Sequence, residues 1–117
     1  MTLLEKQQTF VLLIGRLIDY CYREKGWKLT FGEAYRTPEQ AALNAKTGKG
    51  ISNSLHIQRL AVDFNLFKDG WCTKSEDFKE LGEYWESLST PEAQCCWGGR
   101  FSKPDGNHFS ILHNGVK

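Results

Sequence analysis

The chain has 117 residues, of which 40% are apolar or aromatic and 25% charged. That is one domain's length, enough to bury roughly two thirds of the extended chain's surface without staples. Fifteen basic residues oppose fourteen acidic ones, a formal charge of +1, and no Lys/Arg run occurs. This balance argues against a dedicated nucleic-acid binder, which needs a one-signed field along a phosphate backbone. A single domain over residues 1–117 is expected.

Residues 1–8 carry no basic leader, unbroken apolar stretch or small-residue cleavage site. The apolar run at 10–14 is far shorter than the ~20 residues of a membrane span. The expectation is a product made in the cytoplasm, with no signal peptide and no membrane span. Thr2 and Glu5 form a capping box, followed by apolar residues at Phe10, Leu13, Ile14, Leu17, Ile18 and Cys21. This predicts a long amphipathic helix ending near Gly26, its stripe turned to the core. Residues 27–31 alternate apolar and polar, the pattern of a strand. Thr37 then caps a short helix with Pro38 in its first turn, where a missing N–H costs nothing.

Residues 46–54 are rich in Gly, Ser, Asn and Lys and read as an exposed loop. Residues 60–67 form an apolar, β-forming run, hence a central strand, with Asp69 and Gly70 as its turn. Ser75 is expected to cap a helix running to about Leu88, and Thr90-Pro91-Glu92 to start another helical segment. A glycine-rich turn at 97–99, a polar loop and a closing strand complete an α+β domain: helices packed on a small antiparallel sheet. Cys21, Cys72, Cys95 and Cys96 contain no Cys-x-x-Cys pair, and adjacent Cys95 and Cys96 point apart. They read as reduced, mostly buried thiols rather than a zinc knuckle, with a disulfide left open.

Chemistry concentrates around two of the three histidines. Asp63 lies inside the apolar run, where a carboxylate is costly unless a charge or metal compensates it. His56 precedes that strand, and His108 enters the last one, three residues after Asp105. Two imidazoles and a carboxylate are a common ligand set for catalytic zinc, and Asp105 would then stand beside the metal as a base. The other reading of the same residues is a loop histidine, a satisfied strand histidine and an Asp63 that caps a turn or pairs with Arg59 or Arg36. His113 reads as a solvated tail residue. No serine–histidine–acid relay is present.

The stretch Ser54-Leu55-His56-Ile57-Gln58-Arg59-Leu60-Ala61-Val62-Asp63 resembles the Ser-x-His-x-x-Gly-x-Ala-x-Asp motif of the M15 zinc peptidases. That family includes D-Ala-D-Ala carboxypeptidases and dipeptidases, and the L-alanyl-D-glutamate endopeptidases of phage endolysins. Asp105-Gly106-Asn107-His108-Phe109 is similar to the family's acidic-x-x-His-Phe element, and residues 35–40 resemble the segment bearing its substrate-binding arginine. The three elements occur in the family's order. The resemblance implies a hedgehog/D-Ala-D-Ala-peptidase-like fold, with His56, Asp63 and His108 as Zn2+ ligands. It implies Asp105 as the general base that activates the zinc-bound water, and Arg36 as the group holding a substrate carboxylate or steadying the oxyanion. Ser54 is implied as a substrate contact, and Trp97, in a sequence similar to the family's Trp-Gly-Gly, as a cleft wall.

Two departures stand out. Arg59 occupies the motif's glycine, and is expected to point outward at the strand end or to pair with a neighbouring acid. The base is aspartate, as in the endolysins, where the D-Ala-D-Ala enzymes typically carry glutamate. The function expected is therefore hydrolysis of an amide in peptidoglycan stem peptides, most consistent with an L-Ala-D-Glu endopeptidase of endolysin type. It would act as a monomer on the cell wall after residing in the host cytoplasm until lysis. The alternatives are a D-alanyl-D-alanine carboxypeptidase and a non-catalytic, zinc-containing wall-binding module.

Overall fold

Thr2 opens the longest helix through the expected reciprocal cap: Glu5 N–H donates to Thr2 Oγ1 at 3.1 Å, and Thr2 N–H to Glu5 Oε1 at 2.9 Å. The computed structural model describes residues 1–117. Helix α1 (Leu3–Asp19) widens into a π-helical turn over Tyr20–Glu24, and Gly26, at φ 68°, redirects the chain into strand β1 (Lys28–Phe31). Helix α2 (Pro38–Lys46) starts as expected, with Thr37 Oγ1 accepting from Gln40 N–H at 3.1 Å. Strand β2 (Ala61–Phe67) is followed by the two-residue β3 (Trp71–Cys72), helix α3 (Lys79–Ser87), β4 (Cys95–Trp97) and β5 (His108–Ile111). No helix is long and apolar enough to cross a membrane.

The sheet is antiparallel in the order β1-β2-β5-β4, with β3 pairing the far end of β2. Val62, Phe64 and Leu66 of β2 point into a core filled from α1 and α3, while Asp63 and Asn65 alternate to the open face. Trp85 of α3 anchors the core. It is fully buried, stacks edge-on against Phe10 and Phe109, and its indole N–H donates to the Cys96 and Ser110 carbonyls, both at 3.1 Å.

Three local expectations are corrected. Ser75 does not cap the following helix: its Oγ accepts from Gly106 N–H at 2.9 Å, and a 3-10 turn (Ser75–Phe78) leads into α3. Thr90-Pro91-Glu92 forms a tight turn closed by reciprocal bonds between Thr90 and Ala93, not a helix. Residues 95–97 form an unexpected edge strand, with Cys95↔Ile111 and Trp97↔Phe109 in register.

All four cysteines are free. Burial pushes the Cys21 thiol up to about 11, and does the same at Cys95 against a Ser89 hydrogen bond that pulls it down. At pH 8, iodoacetamide is therefore expected to alkylate the half-buried Cys72 first and the other three only on unfolding. Peptide mass mapping checks this. Because the native Cys21 and Cys95 thiols ionise above the value of 9.0 for exposed ones, their contribution to stability is intact below about pH 9. It is lost as pH rises toward 11.

Candidate active site

The sheet register brings the first two candidate ligands together. Asp63 and His108 are direct cross-strand partners on β2 and β5, so their side chains leave the same face. On the other side of Asp63, its N–H donates to the Glu33 carbonyl at 2.8 Å and its carbonyl accepts from Gly32 N–H at 2.8 Å. The third ligand arrives on a helical turn over residues 54–59. Ser54 Oγ accepts from His56 N–H at 3.2 Å, and Ile57 and Gln58 bond back to the carbonyls of Ser54 and Leu55. Leu60 N–H closes the turn on Leu55 O at 3.0 Å, and Arg59 lies in the left-handed region at φ 56°. This is the geometry of a helix end that favours glycine.

The motif's glycine is thus explained by backbone conformation, and Arg59 is the strained exception. Its guanidinium lies 4.1 Å from the centroid of the Tyr35 ring, so it stacks on an aromatic face rather than pairing with an acid. Arg59→Gly relieves about 1 kcal/mol of left-handed strain and loses about the same in stacking. It should leave stability nearly unchanged in urea unfolding, whereas Arg59→Ala keeps the strain, loses the stacking and should be about 1 kcal/mol less stable than the glycine variant.

His56 Nε2 and His108 Nδ1 both lie 3.4 Å from Asp63 Oδ1, and the candidate ligand atoms of the three residues fall within 4.8 Å of one another. Asp63 Oδ1 is buried and has no hydrogen-bond partner. Burial pushes the Asp63 carboxyl up, but the His108 and His56 rings that face it outweigh this and hold the group at about 2. A buried, ionised, unpartnered oxygen facing two imidazole nitrogens is an acceptor set that a divalent cation satisfies. Three protein donors leave a coordination position open, as catalytic zinc sites do and closed structural ones do not. His56 turns its other nitrogen, Nδ1, toward the Ala34 carbonyl at 3.4 Å, the orienting contact typical of a ligating imidazole.

These side chains floor a cleft of about 500 Å³. Arg36, Ser54 and Asp105 line it too, so the structure brings together six of the seven expected site residues. Asp105 stands at the solvent-facing rim. Its N–H donates to Gly98 O at 2.9 Å and its carbonyl accepts from His108 N–H at 3.1 Å. Partial desolvation and the Asp63 charge raise its carboxyl above the ordinary aspartate value, against the pull of His108, His56 and Arg36. Trp97 is the exception. It is 5% exposed, lies outside the cleft, packs flat over Gly82 and Gly99, and donates to Gly106 O at 2.7 Å. Its role is to brace the segment carrying Asp105, not to wall the cleft. His113 lies near α1, with Lys6 Nζ 3.1 Å from its Nδ1, and takes no part in the cleft.

Glu33 was missed by sequence reasoning. Its Oε1 accepts from Arg36 Nε at 2.7 Å and from Arg36 Nη2, and lies 3.8 Å from His56 Nδ1. The i,i+3 spacing to Arg36 was the available signal, but only the fold shows that Glu33 lies beside the histidine. Held by this pair, Arg36 is mostly buried, and its Nη1 is left without a protein partner in the cleft.

The sequence profile of a peptidase family described as D-alanyl-D-alanine carboxypeptidase matches residues 47–111, more than half of the chain. No match is found among curated proteins. Among solved structures, the L-Ala D-Glu endopeptidase ChiX of Serratia marcescens is similar in fold. Its TM-score is 0.66 at 19% identity, over 86% of this chain and 77% of that one. With His56, Asp63, Asp105 and His108 all inside the matched region and three of them forming a metal-binding cluster, the chain belongs to the M15 family of zinc metallopeptidases.

Proposed function

We propose that this peptidase cleaves the L-Ala–D-Glu bond of peptidoglycan stem peptides, using zinc held by His56, Asp63 and His108. The observation that carries the reading is the buried, unpartnered Asp63 Oδ1 facing both imidazoles, in a cleft that also holds Asp105. Aspartate at position 105, where the endolysins also carry it, and the likeness of fold to an L-Ala D-Glu endopeptidase support this choice of bond. When bound, zinc polarises the scissile carbonyl and acidifies water. Asp105 takes a proton from the attacking water as its oxygen bonds to the carbonyl carbon. It then gives that proton to the leaving nitrogen as the C–N bond breaks. Arg36, fixed by Glu33, offers Nη1 to a substrate carboxylate or to the developing oxyanion. Ser54 lines the same cleft and offers its hydroxyl as a further polar contact. Lys49 and Lys103 line the same cleft without ion-pair partners, suiting the carboxylate-rich stem peptide.

The second reading, a D-alanyl-D-alanine carboxypeptidase, is favoured by the description of the matched family. Mass spectrometry of the fragments released from isolated peptidoglycan separates the two. New D-Glu amino termini and free L-Ala carboxyl ends support the endopeptidase, and released D-alanine would move the chain to the carboxypeptidases. No product from folded, zinc-loaded protein would leave only a wall-binding module.

A further inference from the structure

A second cavity, of about 320 Å³, adjoins the active cleft, and Asp105 lines both. It runs between β3 and the 105–107 turn, away from the imidazoles, and its chemistry differs from that of the first. Trp71, Asn65, Thr73, Lys74 and Asn107 line it, and apart from the shared Asp105 it holds no acid. Trp71 is 66% exposed, yet it sits on a strand whose backbone is fixed by pairing with Leu66 and Phe67. No aromatic ring or cation packs on its indole. Asn65 Nδ2 donates to Thr30 Oγ1 at 3.2 Å, which leaves Oδ1 free, and Ser75 Oγ is occupied by Gly106 N–H. The Asn107 side-chain amide and Thr73 hydroxyl make no hydrogen bond within the protein.

An open aromatic face beside the amides of Asn65 and Asn107 and the Thr73 hydroxyl, with Lys74 as the one cation, fits a ligand with one apolar face and a polar edge. A pyranose ring bearing hydroxyl and acetamido groups has that form. We propose that this groove binds the N-acetylated amino-sugar part of the substrate, with Trp71 as the stacking platform. The inference rests on the reading of peptidoglycan as substrate, and it deepens it. In a stem peptide the first residue, L-Ala, is joined directly to the lactyl group of the sugar. Cleavage after L-Ala thus places the glycan one residue from the scissile amide, a reach of ~3.5 Å plus the lactyl arm. Cleavage at D-Ala–D-Ala would place it several residues further off. A sugar site that shares Asp105 with the reaction cleft matches the shorter spacing.

The test compares kcat/KM for a disaccharide-pentapeptide and for the same pentapeptide without sugar, in wild type, Trp71→Ala and Trp71→Phe. Wild type is expected to prefer the glycosylated substrate by about tenfold. Trp71→Ala should erase most of that preference and Trp71→Phe retain it. An unchanged ratio in Trp71→Ala would overturn the proposal. Independently of turnover, the peptide-free N-acetylglucosamine–N-acetylmuramic acid disaccharide, at millimolar concentration, should shift the Trp71 indole N–H resonance. No shift there would likewise overturn it, whereas a shift in a protein that hydrolyses neither substrate would keep the sugar site and remove the peptidase reading.

Discussion

Replacing Asp105 with asparagine is expected to lower kcat by about 10²–10⁴-fold while one metal ion stays bound per chain. Asparagine keeps the shape of the side chain and leaves the backbone bonds to Gly98 O and from His108 N–H in place. Only the capacity to take and return a proton is removed. The metal donors sit on β2, on β5 and on the 54–59 turn, so none of them is touched. Steady-state kinetics together with metal analysis of the same sample checks this. Wild-type turnover in Asp105→Asn would remove the residue from the role of base, and loss of metal would make it a ligand instead. The surrounding packing explains why the side chain is well placed. A Cβ at Gly98 would lie 2.1 Å from Asp105 O and 2.8 Å from His108 Cβ, so the turn bearing Asp105 is pressed against the strand bearing His108.

Asp63→Ala is expected to act differently, by abolishing metal binding and hydrolysis together. Asp63 Oδ1 is the atom that both imidazoles face, and losing the one carboxylate donor leaves two neutral nitrogens. Removing even an outer contact of a metal ligand typically costs about 10–100-fold in affinity, so removing a donor should exceed that. Zinc at about one hundred times its dissociation constant should stabilise the wild type by roughly 2.7 kcal/mol and raise its melting temperature by several degrees. The Asp63→Ala variant should show no such shift. A melting temperature that responds to zinc equally in both proteins would place the metal elsewhere.

Much of the site was legible in the sequence because its determinants are local. The Thr2–Glu5 and Thr37 caps, the apolar run of β2 and the acid inside it, and the two histidine motifs each depend on a few neighbouring residues. The features that were missed depend on partners distant in the chain. Residues 95–97 become a strand because β5 pairs with them, although three residues carry too little periodicity to announce it. Ser75 is drawn from helix capping by the Gly106 N–H, 31 positions later. Trp97 is buried because Gly82, fifteen residues earlier on α3, has no side chain: a Cβ there would lie 2.1 Å from the indole. Arg59 shows the converse. A glycine in a family motif marked a backbone conformation that a bulky cation can still adopt, provided an aromatic face such as Tyr35 receives it.

The most direct measurement is metal content and peptidoglycan hydrolysis on one preparation, before chelation, after it and after return of zinc. One equivalent of metal, activity lost on chelation and activity restored by one equivalent of zinc are expected, with none restored in Asp63→Ala. Undiminished hydrolysis by chelated protein holding far less than one equivalent would contradict the assignment of His56, Asp63 and His108 as the metal site on which catalysis depends.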